Sequence, residues 1–100
     1  MLDNTHIDQL NDQELVLLTL ENQGYFAYLI DRYKAKLFRY IKRLSNVSNE
    51  EAEDILQDVF LKTYLNLNSF TTSLKFSSWI YAIAHNQVIS NFRKIKARPE

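Results

Sequence analysis

Hydrophobic positions recur at steps of three and four along most of this chain, the spacing that gathers side chains on one face of a helix. Four segments carry it. The first is expected over about residues 12–23, with Leu15, Leu18 and Leu20 on its apolar side and Asn11 or Asp12 as its cap. Gly24 is expected to close it in the left-handed conformation that glycine tolerates. The second helix is expected over about 25–45, where Phe26, Leu29, Ile30, Tyr33, Leu37, Tyr40, Ile41 and Leu44 share one face. Arg32, Lys36, Arg39 and Arg43 repeat on another face at the same steps.

A third helix follows over about 49–66. Ser48-Asn49-Glu50-Glu51 has the spacing of a capping box, in which the Ser48 hydroxyl accepts the N–H of Glu51 and the Glu51 side chain reaches back. Ala52, Ile55, Leu56, Val59, Phe60 and Thr63 form its core stripe, while Glu50, Asp54, Gln57, Asp58 and Leu61 form an acidic stripe with an apolar tip. Residues 67–76, LNSFTTSLKF, break the period, because Asn, Ser and Thr compete with helix by bonding nearby backbone. The fourth helix is expected over about 77–96, with Trp79, Ile80, Ile83, Ala84 and Val88 on its core side and Pro99 as a stop. Amphipathic helices with short connections predict an all-α, compact bundle of about four helices, with a loop between the third and fourth.

Composition narrows the chemistry. One hundred residues, 46% apolar and 24% charged, fit one globular domain spanning 1–100. The absence of cysteine excludes a disulfide scaffold, a thiolate metal site and a cysteine nucleophile. His6 and His85 stand apart and argue against a metal centre, and no cofactor is expected. No apolar run approaches the roughly 20 residues of a membrane span, so no membrane insertion is expected. No cluster of acid, base and nucleophile is visible, so the chain is not expected to be an enzyme.

The net charge of +0 conceals blocks. Residues 1–31 hold six acids and no Lys or Arg, 32–49 hold six bases and no acid, 50–58 hold five acids, and 59–100 hold six bases against Glu100. Such blocks fit either solvated helix faces or separate acidic and basic binding faces.

Three stretches carry a family resemblance. AEDILQDVFLKTY (52–64), SFTTSLKFSSWIYAIAHN (69–86) and FAYLIDRYKAKLFRYI (26–41) resemble, in residues and in spacing, the second conserved region of bacterial RNA polymerase sigma factors of the extracytoplasmic-function (ECF) class. The resemblance covers about residues 10–98. The helix-turn-helix domain of that class has no counterpart here, so the chain is expected to be a fragment of a longer protein.

The resemblance implies a domain that docks on the β′ clamp helices of RNA polymerase core and recognises and helps open the promoter minus-ten element, in the bacterial cytoplasm. By position Asp54, Gln57 and Asp58 match the clamp-contacting residues, and Leu61 continues their stripe. The loop between the third and fourth helices matches the element that captures a flipped base of the single-stranded non-template strand. Phe70 and Leu74 are candidates for the apolar wall of that pocket, although a Phe70 tucked under the domain is equally compatible with the pattern. Asn68, Thr71, Thr72, Ser73 and Lys75 are candidates for its polar contacts. Thr71-Thr72 stands where the family frequently has Arg-Gly.

Asn86 matches the position that reads the upstream edge of the element, where an amide suits adenine; local bonding to backbone is the other reading. Ser90 follows on the same surface, and Arg93, Lys94, Lys96 and Arg98 are placed for phosphates. Ala82-Ile83 replaces the paired tryptophans of housekeeping sigma factors, and Ser90-Asn91-Phe92 replaces the frequent Asp-Tyr-Leu. The Arg32, Lys36, Arg39 and Arg43 stripe is expected either to face phosphates or acidic polymerase surface, or to be solvated. An anti-sigma factor is an expected partner. A helical module bound by such a partner without reading DNA is the alternative.

Overall fold

The computed structural model describes residues 4–71 and 73–97. Five helices, α1 (Asn4–Gln9), α2 (Asp12–Glu21), α3 (Phe26–Leu44), α4 (Asn49–Leu65) and α5 (Phe76–Ala97), are joined by short turns, with no strand among the described residues. The fold is all-α, as the periodicity predicts. α1 is the element the pattern did not announce. Its Ile7 is buried, and its carbonyl end is held from α3 by the Arg32 guanidinium, 2.7 Å from the Ile7 oxygen. Six residues are too few to hold a helix alone, so tertiary contact sustains it.

Asn11, not Asp12, caps α2. Its side chain accepts the Glu14 N–H at 2.8 Å, and Glu14 returns the bond to the Asn11 N–H at 3.1 Å. Asp12 is thereby released to bind α3, pairing with Arg32 at 3.0 Å and accepting the Tyr33 hydroxyl at 2.5 Å. Burial and the neighbouring Asp12 carboxylate push the Tyr33 phenol far above the ordinary tyrosine value, so it stays protonated and donates. The buried side of α2 is Leu15, Val16 and Thr19, whereas Leu20 is exposed. Its end also differs from expectation: Gly24 has no positive φ. The chain passes directly from Asn22 into a 3-10 turn (Gln23–Tyr25) that feeds α3, and the Asn22 side chain accepts the Gly24 N–H at 3.0 Å.

α3 buries Phe26, Leu29, Tyr33, Leu37 and Ile41, one residue per turn. α4 begins at Ser48, whose hydroxyl accepts the Glu51 N–H at 3.1 Å, and buries Ala52, Ile55, Val59, Phe60 and Thr63. α5 lies against both and buries Phe76, Ile80, Ala84, Gln87 and Val88. Edge-to-face rings seal the ends of the core. Phe26 meets Tyr64 at 5.1 Å, and Phe76 meets Tyr33 at 5.6 Å and Phe70 at 5.5 Å. Among the described residues no helix is long and apolar enough to cross a membrane, and no group of His, Cys, Asp and Glu is disposed to hold a metal.

Candidate nucleic-acid interface

The core stripe of α4 dictates its opposite face. With positions 52, 55, 59, 60 and 63 turned inward, Glu50, Asp54, Gln57, Asp58 and Leu61 are all exposed, in one row along the helix. Leu61 is 56% exposed and Leu65, one turn on, is 65% exposed, so the acidic row ends in two leucines facing solvent. Asp58 has a neighbour from α5: the Gln87 amide donates to its Oδ2 at 3.4 Å. The four candidate docking residues, Asp54, Gln57, Asp58 and Leu61, therefore share one surface.

α4 stops at Asn66, whose side-chain amide donates to the Lys62 carbonyl at 2.8 Å. A 3-10 turn (Leu67–Ser69) follows, pinned by the buried Leu67. Phe70 is next, and here the structure decides between the two readings of the sequence. Phe70 is 7% exposed, packed edge-on to Phe76 and 5.3 Å from Trp79. It is a core residue that anchors the loop, its ring packed against Phe76 and Trp79 of α5. Trp79, expected in the core, is only half-buried and takes the wall position instead.

Two hollows open beside Trp79. One, of about 350 Å³, is lined by Lys62, Asn66, Ser69, Trp79, Ile83 and Asn86, where the end of α4 crosses α5. The other, of about 360 Å³, is lined by Ser73, Leu74, Lys75, Ser78 and Trp79. Both fall in the size range of small-molecule sites. Each has the indole as an apolar wall and hydroxyl, amide or ammonium groups on its rim, the combination a nucleobase needs for stacking and edge contacts.

The candidate contacts divide between them. Asn86 belongs to the first hollow, and Ser73, Leu74 and Lys75 to the second. Thr71 is exposed, with its hydroxyl 3.2 Å from that of Ser73. Asn68 does not join either; it lines a separate hollow with Thr19, Leu20, Gln23, Tyr64, Leu65 and Leu67, on the α2 side. Thr72 and Arg98 lie outside the described residues. Trp79, Ile83, Asn86, Ser90 and Arg93 follow steps of three and four, so one row of α5 leads from the hollow to its basic end. There Ser90 is half-buried, and Arg93 and Lys94 are exposed.

Lys62, Asn66 and Ser69 were not singled out by the sequence, and Ile83, expected on the core side of α5, is half-buried and lines the hollow. Lys62 carried a signal, as the first base after the acidic block, but only the crossing of α4 with α5 shows that it faces Asn86 across a hollow. Arg32 requires a correction. It lies in the basic stripe by spacing, yet its guanidinium is committed to Asp12 and the Ile7 carbonyl, so the open stripe is Lys36, Arg39 and Arg43.

The family model for Sigma-70 region 2 matches residues 29–98. The chain is 45% identical over 76 residues to the ECF RNA polymerase sigma factor SigW of Bacillus subtilis (strain 168), covering 75% of this chain and 40% of that protein. It is 35% identical over 80 residues to the ECF RNA polymerase sigma-E factor of Escherichia coli (strain K12), covering 79% of this chain and 41% of that one. It thus spans about two-fifths of the length of these curated relatives. Among solved structures it superposes with a TM-score of 0.82 and 34% identity on an engineered region 2 of sigmaE in complex with GTAAAA, covering 92% of this chain and 96% of that one.

Proposed function

The chain belongs to the Sigma-70 region 2 family, in the ECF class, and from that premise we propose that it docks on RNA polymerase core and recognises and helps open the promoter minus-ten element. The hollow at the crossing of α4 and α5 carries the reading. An indole, an amide and an ammonium converge there on a space fit for an unstacked base. Asn86 on its rim suits adenine, whose N6 and N7 take both ends of an amide, and the related region 2 of sigmaE was solved with the adenine-rich GTAAAA.

The acidic row on α4 supports docking on the β′ clamp helices. Asp54, Gln57 and Asp58 offer acceptors to arginine and lysine, and Leu61 offers an apolar contact at the end of the row. The domain acts by binding, without catalysis of its own, in the bacterial cytoplasm. An anti-sigma factor is a further proposed partner. Leu17 and Leu20 of α2 and Leu65 of α4 are each about half or more exposed, an apolar surface suited to a protein.

Docking and reading are tested separately. Asp54→Ala with Gln57→Ala removes two exposed side chains and should leave the melting temperature within about a degree or two. The same variant should lose binding to core polymerase in a pull-down and keep its binding to the single-stranded oligonucleotide GTAAAA. Undiminished binding to the core enzyme would remove the α4 face from the docking assignment.

A further inference from the structure

The amino end of α2 reaches the segment between α4 and α5 through two consecutive residues, and neither the docking row nor the hollows account for it. Asp12 accepts the Tyr33 hydroxyl, and the Tyr33 ring lies 5.6 Å from Phe76, the first residue of α5. Gln13, half-buried, donates from its Nε2 amide to the Leu74 carbonyl at 3.4 Å, across 61 positions of sequence. The capping exchange between Asn11 and Glu14 is local to α2, which leaves the side chains between them to these distant partners.

Among the described residues, the other hydrogen bonds around Leu74 belong to the segment itself. The Leu74 N–H donates to the Thr71 carbonyl at 3.1 Å, the Thr71 and Ser73 hydroxyls are 3.2 Å apart, and the Trp79 N–H donates to the Lys75 carbonyl at 3.2 Å. Such bonds shape the turn but move with it. Its place on the bundle is set by the buried Phe70 and Phe76 and, between them, by Gln13. That place matters because Leu74 is 55% exposed and lines, with the half-buried Trp79, the hollow of about 360 Å³. An apolar side chain beside an apolar ring gains by closing on it, since both then leave water. Held by its own carbonyl, Leu74 stays off the ring, and the indole remains open to a base.

We propose that Gln13 is a positioning residue for base recognition: by holding the Leu74 carbonyl it keeps Leu74 off the Trp79 indole and the hollow open. α2 thereby takes part in base selection through the loop. The inference rests on the reading of the hollows beside Trp79 given above.

Trp79 is the only tryptophan of the chain, so its fluorescence reports the hollow directly. Gln13→Met keeps the length of the side chain and removes the donor. In the protein without DNA, acrylamide should then quench Trp79 less, and the emission should shift to the blue. The preference for the single strand GTAAAA over strands changed at one base should fall by about fivefold, the worth of one neutral hydrogen bond. Binding to core polymerase should not change. Gln13→Lys supplies a donor of similar reach and should restore both the quenching and the preference. Unchanged quenching in Gln13→Met, or changed quenching with the base preference intact, would overturn the proposal. So would a Gln13→Lys variant that behaves as Gln13→Met does, since the donor would then not matter. Failure of the unaltered chain to bind GTAAAA, with the quenching changed as expected, would instead overturn the reading of the hollows and leave the hold on Leu74 standing.

Discussion

At the residue scale, Gln87 is the side chain whose chemistry is least expected for its position. It is 5% exposed, on a helix whose neighbouring inward positions are Ala84 and Val88. Its amide donates to Asp58 at 3.4 Å, while its Oε1 is buried without a partner. An unmet buried acceptor costs about 1–3 kcal/mol, whereas an apolar side chain of similar length incurs no such penalty. Gln87→Met should therefore raise the melting temperature by a few degrees. Asp58→Ala should lower it despite the exposure of Asp58, because Gln87 would then lose its one hydrogen bond. Thermal denaturation of the two variants gives the signs directly, and a fall in both would mean that the amide is a net stabiliser of the core.

At the element scale, the segment between α4 and α5 divides into anchors and tips. Leu67, Phe70 and Phe76 point inward, and Asn68, Ser69, Thr71, Ser73, Leu74 and Lys75 point outward. The LNSFTTSLKF string exposed that mixture but not its direction, because a segment without a period gives no face. The two aromatics should consequently separate stability from binding. Phe70→Ala empties a buried site and should cost about 3–5 kcal/mol. Trp79→Leu keeps an apolar side chain against Phe70 and should cost less in stability. It should weaken oligonucleotide binding by about tenfold or more, since stacking of a base on an aromatic is worth about 1–3 kcal/mol. Melting curves and oligonucleotide titrations of both variants check the split; a Trp79→Leu variant with full affinity would place the base elsewhere. The capped starts of α2 and α4 were legible at Asn11 and Ser48, because a cap is a local exchange between neighbours in sequence. α1 was not legible, because its hold comes from Arg32, on a different helix.

At the scale of the whole molecule, the Asp12–Arg32–Tyr33 cluster joins the N-terminal helices to the bundle and gives stability a particular pH dependence. The phenol of Tyr33 is raised by burial and by Asp12, so the folded state favours its neutral form. A group raised in this way contributes its full stability below its unfolded value, about 10 for tyrosine, and loses it as pH climbs toward the higher folded value. Stability should therefore hold through neutral pH and decline from about pH 10 upward. Tyr33→Phe should be less stable at pH 7, having lost a buried hydrogen bond to a carboxylate, and should show a shallower alkaline decline. Urea denaturation from pH 7 to 11 distinguishes these curves. Parallel declines would place the alkaline sensitivity in another group.

The sequence by itself determined the all-α class, the four long helices to within a residue or two at most boundaries, and the inward and outward faces of α3 and α4. Each of these is a local or periodic property: positions at steps of three and four have one possible common face, whatever that face packs against. The exposed row from Asp54 to Leu61 followed from the same geometry, as the complement of the core stripe. Tertiary structure decided the rest. Phe70 went to the core because Phe76 and Trp79, from α5, pack against its ring, and Trp79 stayed half-buried beside them. Lys62 joined Asn86 because two helices cross there. Arg32 left the basic stripe because Asp12, 20 residues earlier, sits within 3.0 Å of it. These outcomes depend on distances between elements, and no spacing along a single helix encodes them.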